Sequence, residues 1–335
     1  MAKIPLKEIA KKAQVSISTT SRVLSNPHIV HLDTRLRVFK AMEELGYQVP
    51  VKGKPRGRGK GAVALVTPVI HSEFFLEFLT ELQDGLTPLG LYPLVVDTRN
   101  QYDLGSFLEQ DAGWTALVDG VICFFSTIDL RTHQYFLEKG LPLALIHSRC
   151  PYYFSVMNND YLGGYDGAAF LWKRGYRNIG LVSFDPAKSD KFRDRVNGVK
   201  AFFQNQQTAS MEQEPFSDTD IWIESMSMEG GFKAIERALE KKAYDALFFL
   251  TDTMAVGGME YCRNRGISIP KELAILGYDD LHIAKALNIS TMNQFIPDQA
   301  RAVTNYLKTY FENPIPRNQA GEITLTPVVI PRSTT

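Results

Sequence analysis

Between positions 16 and 22 the chain reads Ser16-Ile17-Ser18-Thr19-Thr20-Ser21-Arg22. The hydroxyls of Ser16, Ser18, Thr19 and Ser21 can donate to phosphate oxygens. Arg22 can span the O6/N7 edge of guanine with two parallel bonds, and a thymine methyl is a natural partner for Ile17. On a helix advancing about 100° per residue, Ile17, Ser18, Ser21, Arg22 and Ser25 share one face, while Thr20, Val23 and Leu24 share the other. An exposed serine or arginine taken alone is ordinary solvated surface. Their joint placement on one face, with an apolar side chain on what should be the wet side, points to a duplex as the surface they meet.

Three short helices are needed to hold that face. Leu6, Ile9, Ala10 and Ala13 fall at the spacing of an apolar helical stripe. Ala13-Gln14-Val15 then reads as a tight connection, and Ser16 stands where an N-cap would accept from an orphan amide of the next turn. A third helix over residues 32–45 carries Leu36, Val38, Phe39, Met42 and Leu45 and ends at Gly46, a good C′ residue. Charge supports the same reading. Residues 1–60 hold 13 Lys and Arg against four acids, a net +9, and the remainder of the 335 residues carries −9. The overall neutrality hides a basic head for a polyanion and an acidic body with another task.

The run from Leu6 to Asn26, continued by Thr34-Arg35, Val38 and Glu44-Leu45-Gly46-Tyr47, resembles the DNA-binding head of the LacI/GalR family of bacterial transcription regulators. The resemblance implies that the second helix lies in the major groove. By position it makes Ile17, Ser18 and Arg22 the base-reading residues and Ser16, Thr19 and Ser21 the phosphate contacts. Thr20 replaces the family's usual valine, which buries a hydroxyl. His31 replaces the usual serine before the third helix and is read as structural. The linker, residues 50–61, departs further: six of its twelve residues are Gly or Pro, so an isolated helix is disfavoured. It lacks the leucine that many family members wedge into the minor groove. Lys52, Lys54, Arg56, Arg58 and Lys60 are expected to track phosphates or a narrow minor groove instead.

From residue 62 short apolar runs alternate with helical patterns. Strands are predicted at 62–67, 92–97, 120–125, 142–147, 178–184, 246–251 and 273–277. Helices are predicted at about 74–89, 103–117, 131–139, 161–175, 190–206, 229–241, 253–265 and 298–312. Val-, Ile-, Leu- and Phe-rich strands separated by helices mean parallel sheets covered on both faces. Two such sets, 62–158 and 159–290, predict two α/β lobes with a ligand where the strand carboxyl ends meet. Phe74-Phe75, Asp119-Gly120-Val121, Asn159 with Gly163, Arg174 to Ile179, Asp252 to Gly257, Ile269-Pro270, Gly277 to Asp280 and Pro331 to Thr334 extend the family resemblance over nearly the whole chain. It implies a periplasmic-binding-protein-like effector domain.

Buried carboxylates and guanidinium groups recognise polyol hydroxyls by charge-assisted hydrogen bonds. Arg195, early in a predicted helix and followed by Val196-Asn197-Gly198, and Asp279, at a strand's carboxyl end, resemble the family's characteristic ligand contacts. Thr251 and Ser148 stand where many members have asparagine or alanine, and aspartate, respectively. Phe74 offers an aromatic face to a sugar or base. A helix N-cap is the alternative for Asp279 and the preferred reading of Asp252. His71 and His147 lie near predicted strand ends and are read as structural. No G-x-G-x-x-G, G-x-x-x-x-G-K-[ST], G-x-S-x-G or H-E-x-x-H motif is present. The six histidines show no metal-ligand spacing, and the three cysteines suggest neither disulfides nor a C-x-x-C site.

The expectation is therefore a small all-α helix-turn-helix head (1–49), a basic Gly/Pro-rich linker (50–61) and a two-lobed effector-binding and dimerisation domain (62–335). Such a chain would be a regulator and not an enzyme, with no cofactor or metal. Its partners would be double-stranded operator DNA, a sugar-like effector and a second copy in a homodimer or tetramer. An apolar run of about 18–20 residues for a membrane and the apolar core of a secretory signal are both missing, which places it in the cytoplasm. A transport solute-binding protein, an enzyme on the same fold and a regulator controlled by a protein partner are the competing classes.

Overall fold

A computed structural model describes residues 4–25, 30–45, 47, 61–207, 216–312 and 321–335. Lys52, Lys54, Arg56, Arg58 and Lys60 lie outside the described residues. The head forms three helices, α1 (Leu6–Lys12), α2 (Ile17–Ser25) and α3 (Leu32–Leu45). Pro5 opens α1, where its missing amide costs nothing. Ser16 caps α2, its Oγ accepting from the Thr19 amide at 3.0 Å. Ile9, Ala13, Val23, Val38, Ala41 and Met42 close a small common core. Thr20 is fully buried beside them, and its hydroxyl donates to the Ser16 carbonyl at 3.2 Å. The polar atom introduced at this position is thus satisfied within the helix's own first turn.

The rest of the chain builds two six-stranded sheets. The first contains β1 (Ala62–Thr67), β2 (Tyr92–Asp97), β3 (Gly120–Phe124), β4 (Leu143–Ile146), β5 (Phe154–Asn158) and β11 (Glu322–Leu325), in the order β11-β5-β4-β3-β1-β2. The second contains β6 (Ile179–Ser183), β7 (Ile221–Ile223), β8 (Ala246–Phe249), β9 (Ala274–Asp279), β10 (Ser290–Asn293) and β12 (Val328–Ile330), in the order β12-β10-β9-β8-β6-β7. The described pairings are parallel except for β12 on β10. β1 and β3 are buried almost throughout, as strands covered on both faces must be.

Helices α4 (Glu73–Leu86), α6 (Leu130–Lys139), α7 (Asp160–Lys173), α8 (Asp190–Gln207), α9 (Met228–Lys241), α10 (Asp252–Arg265) and α12 (Ile296–Glu312) fall close to their predicted spans. The span 103–117 does not form one helix. It breaks into α5 (Leu104–Gln110) and a 3₁₀ turn at Gly113–Leu117, because Asp111 is extended and Gly113 follows it. The periodicity also gave no sign of β5, β7, β10, β11, β12 or the five-residue α11 (His282–Ala286).

Two compact units result, and neither is a single stretch of chain. One holds the residues up to Ile70 with Leu79–Met157 and Gln299–Ile323; the other holds His71–Phe78, Asn158–Asp298 and Thr324–Thr335. The division into 62–158 and 159–290 is corrected accordingly: most of α12 belongs to the first unit and the first six residues of α4, Glu73–Phe78, to the second. No helix among the described residues is long and apolar enough to cross a membrane.

Candidate functional site

The outer face of α2 carries Ser18, Ser21 and Arg22 in the open, with Thr19 half-buried. Ile17 is 49% exposed, although a small core lies directly behind it. Ser16 Oγ, besides capping the helix, lies 2.7 Å from both Ser18 Oγ and Thr19 Oγ1. The cluster presents hydroxyls already oriented by one another rather than free rotors. His31 is exposed, 3.7 Å from the Asp33 carboxylate.

A second cluster is centred on Arg195, in the unit that holds α7 and α8. These helices touch backbone to backbone. A Cβ on Gly164 would stand 2.0 Å from the Arg195 carbonyl oxygen, and one on Gly198 would stand 2.0 Å from that of Tyr161. The close approach brings Asp160, the first residue of α7, against Arg195, which is 0% exposed. Arg195 Nε donates to Asp160 Oδ1 at 2.7 Å and Nη1 to the Leu250 carbonyl at 2.8 Å. The guanidinium carbon stacks 3.6 Å from the centre of the Tyr278 ring. Nη1 is also 3.8 Å from Asp279 Oδ1, and Nη2 is buried with no acceptor in hydrogen-bonding geometry.

Asp279 ends β9 in a left-handed conformation, with φ at 124°, and is 4% exposed. Strain of this kind is costly for a residue with a side chain and concentrates where a side chain must be aimed. The register of β9 with β10 sets Asp279 opposite Asn293, so the next residue, Gln294, reaches it. Gln294 Nε2 donates to Asp279 Oδ1, and Asn158 Nδ2 donates to Gln294 Oε1 at 2.5 Å. Burial pushes the Asp279 carboxyl up to about 6, with Arg195 and then Lys191 opposing it.

Thr251, at the end of the β8 segment, caps α10 by accepting from the Met254 amide at 3.2 Å. Asp252 is not the cap, as the sequence suggested. It is the first helical residue, fully buried, and accepts from the Leu281 amide at 2.9 Å and Thr291 Oγ1 at 2.6 Å. Burial, and next the charge of Asp279, raise its pKa well above the usual carboxylate range. Phe74, in the first turn of α4, packs its edge on Phe78 at 5.1 Å and carries Lys191 Nζ 4.8 Å from its ring centre.

Phe74, Arg195, Thr251 and Asp279 thus stand in one unit and are linked through Lys191 and Leu250. Ser148 lies in the other unit, where its Oγ accepts from the Ser126 amide at 2.7 Å. In that same unit the His147 ring stacks 5.4 Å from Phe125. His71 is exposed. Asp160, Lys191, Tyr278, Asn158 and Gln294 join the cluster without having been singled out as site residues in the sequence. Of these only Lys191, one helical turn before Arg195, gave a readable signal. Among the described residues no three His, Cys, Asp or Glu side chains gather as a metal site would.

Two family models match the chain: bacterial regulatory proteins of the lacI family over residues 5–49, and a periplasmic binding protein-like domain over residues 168–335. Among curated relatives, the HTH-type transcriptional regulator DegA of Bacillus subtilis is 28% identical over 294 residues, covering 84% of this chain and 83% of its own. The ribose operon repressor of Haemophilus influenzae is 26% identical over 327 residues, covering 92% of each. Among solved structures, a complex of the transcriptional regulator CelR with cellobiose has a TM-score of 0.67 at 22% identity, over 99% of this chain and 100% of its own. A LacI-family regulator from Enterococcus faecium with bound ribose has a TM-score of 0.69 at 20% identity, over 82% and 98%.

Proposed function

The chain belongs to the LacI family of bacterial regulatory proteins, and we propose that within it the protein is a cytoplasmic repressor released from or recruited to its operator by a sugar-like effector. It is a DNA-binding regulator, not an enzyme. Residues 1–49 form the reading head, 50–61 a basic tether and 62–335 the effector and dimerisation domain. Ile17, Ser18 and Arg22 read bases, while Ser16, Thr19 and Ser21, with Lys52, Lys54, Arg56 and Arg58, hold phosphates. Two heads in a homodimer, or in a tetramer built from such dimers, meet half-sites of a palindrome about one helical turn apart.

The observation that carries this reading is the exposed face of α2, where Ile17 and Arg22 stand open beside a ring of hydroxyls. Binding of the purified protein to a selected operator and to random duplex at physiological salt tests it. Selective binding by a factor of about 10³–10⁷ is expected. Equal grip on both sequences overturns the assignment.

The effector is assigned to Phe74, Arg195, Thr251 and Asp279. Arg195 and Asp279 supply buried, oppositely charged groups for hydroxyls, and Phe74 supplies a flat apolar face. The relative named for a ribose operon and the neighbours solved with ribose and cellobiose support a sugar frame. A ligand present at 100 times its Kd raises the unfolding free energy by about 2.7 kcal/mol, which a thermal-shift screen detects.

A further inference from the structure

The first two turns of α4 carry more than the Phe74 ring. Glu73 and Glu77 stand four residues apart, hence on one side of the helix, with Phe74 next to them. Glu73 Oε2 accepts from Thr253 Oγ1 at 2.9 Å, and Thr253 follows Thr251 by two residues in the first turn of α10. Glu77 Oε1 accepts from the backbone amide of His282 and lies 2.6 Å from His282 Nδ1. His282 opens α11 three residues after Asp279. That helix start has no side-chain cap of its own, because Leu281 stands at the N-cap. Its leading amides find acceptors on other helices: Asp252 of α10 takes the Leu281 amide and Glu77 of α4 takes that of His282. The two acids thus fasten one helical stretch to both of the segments that present Thr251 and Asp279.

These contacts are not what keeps the helix in place. Phe75, Phe78, Leu82 and Leu86 are fully buried along it, and a Cβ on Gly85 would stand 2.8 Å from Thr304 Cγ2 of α12. Apolar packing seats α4, and the acids set how its first turns are aimed. We propose that Glu73 and Glu77 are positioning residues for the effector. By accepting from Thr253 and His282 they fix the rotation of those turns and hold the Phe74 ring against a ligand carried by Thr251, Arg195 and Asp279. Neither acid touches the ligand; each acts through the segment it binds. This rests on the assignment of the effector to the Arg195 cluster.

The test uses the full-length protein and calorimetric titration with a panel of pentoses, hexoses and disaccharides. Against a sugar that binds wild type, Thr253→Val, which removes only the hydroxyl's bond, should weaken binding about 10-fold with Tm unchanged, the scale of one hydrogen bond to a charged acceptor. Thr253→Ser, which restores a hydroxyl, should bind as wild type does. Glu77→Ala should weaken binding similarly, and Glu77→Gln, which keeps an acceptor for the His282 amide, should recover most of the loss. Thr253→Val combined with Glu73→Ala should cost no more than the worse single change, because both remove one contact. Undiminished affinity in Thr253→Val, a loss that Thr253→Ser does not recover, or a loss that comes only with a lowered Tm overturns the positioning role while the effector assignment stands. If no sugar binds the wild-type protein, the effector assignment fails and the positioning role with it.

Discussion

Asp252 is an acid that burial favours in its neutral form. An acid whose pKa rises on folding keeps its proton after the unfolded chain has released it. Stability therefore falls as pH climbs from about 4, the ordinary aspartate value, and the loss is complete only above the folded-state pKa. Asp279, pushed up to about 6, acts in the same direction, and its share of the loss ends near pH 6. Asp252→Asn removes one of these titrations while keeping the shape: its oxygen can accept from Leu281 and its amide can donate to Thr291 Oγ1. Denaturant melts at pH 5 and pH 8 should show the variant losing less stability across that interval than wild type. An identical pH slope in both proteins would mean that Asp252 titrates normally. On the head, Arg22→Ala should cost about 1–3 kcal/mol of operator affinity, concentrated at one base pair. A uniform loss across all sequences would make Arg22 a phosphate contact instead.

Elements set the distances that these side chains depend on. Arg195 reaches Asp160 only because Gly164 and Gly198 let α7 and α8 meet without intervening Cβ atoms. Gly198→Ala sets a methyl against the Tyr161 carbonyl and must separate the helices. A loss of about 1–3 kcal/mol is expected from such overpacking, read as a lowered Tm together with weakened effector binding. An unchanged Tm would show that the helix pair yields freely. The same geometry explains what the sequence could and could not tell. Long amphipathic helices and fully buried strands announce themselves by period and composition, so α8, α9 and β1 were legible to within two residues. β7, β10 and β12, three or four residues each, are too short to show a period and exist through pairing with neighbours. Thr251 and Asp252 are adjacent good cap residues, and only the backbone decides between them. Asp279 and Gln294 meet through strand register, and Asp160 and Arg195 through helix packing, neither of which leaves a local trace.

At the scale of the molecule, charge is divided so that attraction to DNA is confined to one end. The head and linker carry +9 against −9 elsewhere, so the body is repelled by the phosphates that the head seeks. Neutralising Lys52, Lys54, Arg56, Arg58 and Lys60 together should lower the slope of log K against log salt by a few units, because each phosphate contact contributes about 0.9. An unchanged slope would show that these five cations stay off the duplex. Regulation demands more than affinity at two sites. A ligand that binds the DNA-competent and DNA-incompetent states equally shifts nothing, however tightly it is held. If the effector changes operator affinity by some factor, operator DNA must change effector affinity by that same factor, since both are measures of one coupling free energy. Titrating the effector into the protein with and without a saturating operator duplex should therefore reproduce, within error, the ratio obtained by titrating DNA with and without effector. A typical coupling of 1–3 kcal/mol makes that ratio about 5–150-fold. Effector binding that ignores the duplex would leave a DNA-binding protein and a sugar-binding protein sharing one chain, with no switch between them.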